Sequence, residues 1–139
     1  MPKFIMHSPG PYGAKQQREF GHAQTLEIDG RIEMSGQGGY HPETLDYPDG
    51  VTIGEEVRRS FDNITFVLRQ VGLDWSSVAH VNSYHLPESD GHTLAATAEV
   101  VRQFRERMPG HSPVWTCIGV PSPGDPKMRV EIRATAFRP

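Results

Sequence analysis

The sequence predicts an α+β domain in which one mixed sheet carries two helices on one of its faces. Three observations lead there. Strand-like segments of alternating polarity stand near both ends of the chain, two segments between them repeat apolar residues at helical spacing, and an Asp29-Gly30 pair joins the first two strands as a tight hairpin. The expected order is β-β-α-β-α-β-β.

Pro9-Gly10-Pro11 and Gly13 interrupt any regular element, so residues 1–19 are expected to be an arm or loop ahead of a single domain over 20–139. Ala23–Ile28 and Arg31–Gly36 read as strands about the Asp-Gly turn, whose residues tolerate the positive φ that a two-residue hairpin requires. A turn-rich loop from Gly38-Gly39 to Pro48-Asp49-Gly50 holds Tyr40, His41 and Tyr47. Thr52-Ile-Gly-Glu55 is a capping box, and the helix it opens lays down Val57, Phe61, Ile64, Leu68 and Val71 before Gly72 ends it. Glu55 and Arg59 have the spacing of a pair on its wet side. Ser77–Leu86 is a third strand, closed by Pro87, and a second helix from His92 to Met108 is expected to bury Leu94, Ala98, Val101, Phe104 and Met108. Pro109-Gly110 stops it, and strands over Pro113–Val120 and Lys127–Phe137 finish the sheet.

The last strand concentrates the chemistry. Met128, Val130, Ile132, Ala134 and Ala136 alternate with Arg129, Glu131, Arg133 and Thr135, so one face is buried and Glu131 stands on the other. Glu131 has two readings: an ion-pair partner of Arg129 or Arg133, or a carboxylate that exchanges protons in a cleft. Trp115 and Thr116 alternate, so only one of them can face such a cleft, and Cys117 shares the face of Trp115. With no histidine beside it in sequence, Cys117 reads as a small buried hydrophobe. His80 and His85 fall on opposite faces of their strand and cannot form a metal pair within it; no zinc-like spacing and no phosphate-binding glycine loop occurs, so neither a metal nor a cofactor is expected.

Composition excludes other classes. A formal net charge of −3, with 14 Lys and Arg against 17 Asp and Glu, argues against nucleic acid as a partner. Arg102, Arg105 and Arg107 are diluted by Glu99 and Glu106 and read as a solvated helix face. One cysteine allows no internal disulfide, and no apolar run reaches the ~20 residues a membrane span needs. A soluble, cytoplasmic protein is expected. Asn63-Ile-Thr65 matches a glycosylation acceptor but lies inside a predicted helix, where chance explains it better.

Five segments in order resemble the YjgF family, the Rid proteins named for reactive intermediate deaminase activity. They are Ser35-Gly36-Gln37 after the hairpin, Ser60-Phe-Asp-Asn63 and Val67-Leu-Arg-Gln-Val-Gly72 in the first helix, Val81-Asn-Ser-Tyr84, and Val130-Glu-Ile-Arg-Ala-Thr-Ala136. The resemblance implies a chorismate-mutase-like fold assembled as a homotrimer, with clefts between subunits. It also implies cofactor-free hydrolysis of enamines or imines, with Glu131 at the position of a carboxylate that activates water and Ser35 and Gly36 lining the same cleft. Counting back from Ser35 puts His22 where deaminating members have a pocket tyrosine. Those members also carry an arginine that holds the substrate carboxylate. Here Pro109-Gly-His-Ser-Pro-Val-Trp115 stands in its place, and His111 lacks the bidentate fork of a guanidinium. Pro113-Val-Trp-Thr-Cys-Ile-Gly-Val120 looks more like the arginine-lacking YjgH-type branch.

The reading is therefore a small cofactor-independent enzyme, hydrolase or deaminase-like or else lyase or isomerase-like, acting on an enamine, imine or other electrophilic metabolite. Glu131 and His22 are the proton-transfer candidates; Ser35, Gly36, Trp115, Thr116 and His111 are the binding candidates. The alternative is a trimer that binds a metabolite or a protein without turnover. A third reading, ribonuclease activity, conflicts with the charge balance.

Overall fold

The hairpin at Asp29-Gly30 organises one edge of the molecule in the computed structural model, which describes residues 3–139. Both turn residues have positive φ, 49° and 78°, and they register Thr25–Ile28 (β2) against Arg31–Met34 (β3) in antiparallel pairing. The remaining elements are β1 (Ile5–His7), α1 (Gly10–Phe20), α2 (Ile53–Gln70), a 3-10 turn at Trp75–Ser77, β4 (Val78–His85), α3 (Leu94–Arg107), β5 (Val114–Gly119) and β6 (Val130–Phe137). The six strands form one mixed sheet in the order β1-β2-β3-β6-β4-β5, with β4 and β5 parallel and the other pairs antiparallel. The α+β class, the mixed sheet and the order of elements after Ala23 agree with the sequence.

The first nineteen residues differ from the expected arm or loop. From Ile5 they form an edge strand and an eleven-residue helix. Pro11 sits in the first turn of α1, where its missing N–H costs no hydrogen bond, and Gly21 ends the helix with φ +74°. The breakers mark the ends of a helix rather than its absence.

The capping box of α2 is present in both halves: the Thr52 side chain accepts from the Glu55 N–H, and the Glu55 carboxylate accepts from the Thr52 N–H. Glu55 is thereby turned back onto its own helix end and does not pair with Arg59. Val57, Phe61, Ile64 and Leu68 are fully buried, as their spacing predicts, against Val130, Ile132, Ala134 and Ala136 of β6.

At the end of α3 Met108 is buried and Phe104 packs on the core as expected, but the stripe ahead of them is rotated. Ala96, Glu99, Val100 and Gln103 face inward, whereas Leu94 is 71% exposed. Polar residues decide the rotation: Gln103 donates to Glu99 (3.0 Å), and Arg107 donates to Gln103 (2.8 Å), Thr65 (2.8 Å) and Asp62 (2.6 Å). A count of apolar residues alone cannot see a helix face that is satisfied by hydrogen bonds. Arg102 pairs with Glu99, so two of the three arginines that hinted at a basic stripe are engaged within the fold. Asn63 is buried and donates to the carbonyls of Gly38 (2.8 Å) and Tyr40 (3.1 Å), which holds the 38–50 loop and leaves no acceptor amide at the surface. Among the described residues no helix is long and apolar enough to cross a membrane.

Candidate functional site

Glu131 lies on the sheet face opposite α2 and α3, and neither flanking arginine neutralises it. The Arg129 side chain reaches Glu56 (3.1 Å) and the Val51 carbonyl (2.7 Å), while Arg133 pairs with Glu33. Among the described residues its side chain accepts one hydrogen bond, from the backbone N–H of Gly124 at 3.3 Å. The ion-pair reading of Glu131 is therefore overturned: better-placed carboxylates, Glu56 and Glu33, take the two guanidiniums.

The backbone beyond β3 brings Ser35 and Gly36 to Glu131. Gln37 exchanges two backbone hydrogen bonds with Ile132, at 2.7 and 2.9 Å, so the chain after Met34 continues alongside β6 and Gly36 passes over the Glu131 side chain. A side chain at Gly36 would overlap the carboxyl. Ser35 donates to the Ala23 carbonyl (2.7 Å) and lies 3.4 Å from Nδ1 of His22. The other ring nitrogen of His22 is 3.0 Å from Gln16 on α1.

These groups line one cavity of about 490 Å³. Glu131, His22, Ser35 and Gly36, four of the seven residues nominated from sequence, meet there. The other three do not. Trp115 is on the helix-covered face, edge-on to Phe104 with centroids 5.2 Å apart, and donates to Ser83 (2.8 Å); it packs, partly buried, against the core and lies outside this cavity. Thr116, as alternation requires, is on the exposed face, paired across from Asn82 and outside the cavity. His111 contacts the Val78 carbonyl at 2.7 Å, near the start of β4, whereas Glu131 pairs with Tyr84 near its end.

Residues that sequence reasoning passed over complete the lining. Tyr12, Lys15, Gln16 and Glu19 come from α1, Tyr47 from the 38–50 loop, and Asp125 from the β5–β6 connection. The helix explains the omission of a tyrosine: counting straight back from Ser35 reaches His22, whereas α1 folds Tyr12 into the same cavity as His22. Pro11-Tyr12 beside a helix-starting proline is the sequence signal that was available. Tyr12 stacks on Tyr40 at a centroid distance of 3.6 Å, and Tyr40 donates to Gln37 (2.9 Å), so the α1 wall is tied to the strand segment that carries Gly36. Burial pushes the Tyr12 phenol above its ordinary range; the neighbouring Tyr47 hydroxyl partly opposes this, and the carboxylates of Glu131 and Asp125 add smaller upward contributions. Burial raises Tyr47 as well, and its hydroxyl is buried with no partner in hydrogen-bond geometry among the described residues. The site thus presents neutral phenols, an imidazole and an unpaired carboxylate around one space. That set can donate hydrogen bonds and move protons.

The fold is shared with known proteins. Among curated proteins none matches the chain. Solved structures of similar fold include a Mycobacterium tuberculosis member of the YjgF/YER057c/UK114 family, 20% identical with a TM-score of 0.75 over 98% of this chain and 100% of that one. E. coli TdcF with bound serine is 21% identical with a TM-score of 0.72, covering 97% and 94%. Yeast Mmf1 is 18% identical with a TM-score of 0.75, covering 99% and 100%. The family model described as endoribonuclease L-PSP matches residues 16–138. With nearly the whole chain matched and its fold shared with YjgF structures, the protein belongs to the endoribonuclease L-PSP family, that is, the YjgF/Rid proteins.

Proposed function

We propose that this chain is a cofactor-independent hydrolase of the Rid family, acting on an enamine, imine or similarly electrophilic small metabolite in the Glu131 cavity. The observation that carries this reading is the freedom of Glu131. A carboxylate between two arginines that stays unpaired, faces a cavity and lies under a glycine with no room for a side chain is placed to accept a proton from water. Water adding to an electrophilic carbon loses a proton to Glu131, and the protonated carboxyl returns it to the leaving nitrogen. His22, held between Gln16 and Ser35, is the second proton-transfer candidate, and the phenol of Tyr12 is a donor to developing negative charge. The serine in the TdcF structure supports small polar metabolites as the ligand class.

The same reading takes the assembly as a homotrimer. Val114 and Ile118 of the edge strand β5 are 66% and 46% exposed and Phe137 of β6 is 47% exposed, an apolar surface that neighbouring copies would cover. Thr116 lies on that strand, so a role for it or for His111 in binding requires the cavity of a neighbouring copy. The missing arginine at the start of β5 is consistent with the YjgH-type branch. The charge balance and the internal pairing of Arg102 and Arg107 speak against RNA as substrate.

Glu131→Gln tests the proposal. It keeps shape and removes the base, so turnover is expected to fall by roughly 10²–10⁴-fold with ligand binding and assembly retained. Unchanged turnover would overturn the role of Glu131; binding without any turnover in the wild type would leave a non-catalytic metabolite-binding protein.

A further inference from the structure

The charges around the cavity are unbalanced in a direction that narrows the ligand. Glu19, Asp125 and Glu131 line it, against the ammonium of Lys15; Glu19 has the Arg18 guanidinium 3.9 Å away, which leaves Asp125 and Glu131 as the two carboxylates with no cationic partner among the described residues. The guanidiniums nearest in sequence to Glu131 are spent elsewhere: Arg129 on Glu56 and Val51, Arg133 on Glu33. Asp125 is held in place by its own loop, its carboxylate accepting from the Lys127 N–H (2.8 Å) and its carbonyl from the Met128 N–H (3.0 Å). A carboxylate ligand would enter a space with two unpaired like charges and no bidentate partner. A cation would meet the opposite.

Resting on the reading of this cavity as the ligand site, we propose that it selects cationic, carboxylate-free ligands, the reacting form being a protonated imine, over the imines of amino acids. The aromatic rims of Tyr47 and Phe20 suit the same choice, since ring faces attract cations.

The chemistry balances without a co-reactant. Water gives a proton to the Glu131 carboxylate as its oxygen bonds to the imine carbon, and the C=N π electrons settle on nitrogen. The Glu131 carboxyl returns the proton to that nitrogen, the C–N bond breaks as the carbonyl forms, and the hydroxyl proton leaves through Glu131 to ammonia. A cationic imine and water become a carbonyl compound and ammonium. The ligand cation sits beside the anionic base at the start, which favours binding of the reactive form.

Matched imines test this. A flavin amine oxidase generates the imine of phenethylamine in situ and an amino-acid oxidase generates that of phenylalanine, the two differing by one carboxylate. Semicarbazide traps the imine faster than the carbonyl product, so hydrolysis by the protein reads as a slower initial rate of semicarbazone formation. The expected result is at least about tenfold faster hydrolysis of the phenethylamine imine, with the preference reduced several-fold in Asp125→Asn, which keeps the loop acceptor but not the charge. Equal or preferential hydrolysis of the phenylalanine imine overturns the inference and leaves the hydrolase reading standing. If neither imine is hydrolysed, calorimetry with phenethylammonium and 3-phenylpropionate decides. Selective, Asp125-dependent binding of the cation supports the ligand class while sinking the catalytic reading; binding of neither, or of the anion, overturns the inference.

Discussion

Gly36 and Glu131 share a space that admits no side chain at position 36: a Cβ there would stand 2.7 Å from Cγ and 2.8 Å from Cδ of the glutamate. The backbone of one segment thus sets where the carboxyl of another can be. Gly36→Ala is expected to push the Glu131 side chain aside, lowering turnover by about 10²-fold for a displacement near 1 Å. Overpacking should cost about 1–3 kcal/mol of stability. Turnover and urea unfolding on one preparation check both numbers, and full activity would show that Glu131 needs no fixed position.

Trp115 packs against the core, and its substitution should show it. Trp115→Phe keeps the ring against Phe104 but removes the donor to Ser83, which His85 still contacts at 2.8 Å. A loss of about 1 kcal/mol is expected, with turnover unaltered. A change in substrate preference would return Trp115 to the site.

His85 makes stability pH-dependent. It is fully buried, and burial lowers its imidazole below the ordinary value. The unfolded chain protonates this ring near pH ~6.5 while the folded state does not, so the unfolded state holds more protons below that point. The contribution is complete above about pH 6.5 and is lost as pH falls toward the lowered folded value. Denaturant midpoints at pH 8, 6 and 5 should fall in that order, and less steeply in His85→Gln. Glu33 acts lower: burial opposes its ionisation, but the Thr135 hydrogen bond and the charges of Arg133 and Arg31 outweigh it. Its contribution fades only below the ordinary carboxylate range.

Arg129 and Glu56 anchor the connection that carries Gly124 and Asp125. The Glu56 side chain is 5% exposed and accepts from both the backbone N–H (2.8 Å) and the side chain (3.1 Å) of Arg129. Arg129→Ala strands a buried carboxylate, and a loss on the order of 3 kcal/mol is expected. Melting temperature reads it. A loss below about 1 kcal/mol would mean that solvent replaces the guanidinium.

Assembly should depend on β5. Val114→Asp with Ile118→Asp places two charges on the exposed apolar strand and is expected to give a monomer in light scattering where the wild type, on the proposed assembly, gives a trimer. An unchanged mass would put the interface elsewhere.

Local pattern was enough for much of the fold. The Asp29-Gly30 turn, the Thr52–Glu55 capping box, the buried stripe of α2 and the inward face of β6 each depend on residues a few positions apart, so their periodicity and turn chemistry are readable along the chain. The same alternation put Glu131 on the face away from α2 and α3 and Trp115 and Thr116 on opposite faces. Tertiary structure decided the rest, because those questions turn on partners far apart in sequence. Whether Glu131 is paired depended on Glu33 and Glu56, 98 and 75 positions away, competing for its arginines. The inward face of α3 was chosen by Thr65 and Asp62 reaching Arg107. The cavity itself exists because α1, whose proline and glycines read as an interruption, docks Tyr12 on Tyr40 and closes a wall that no local pattern specifies.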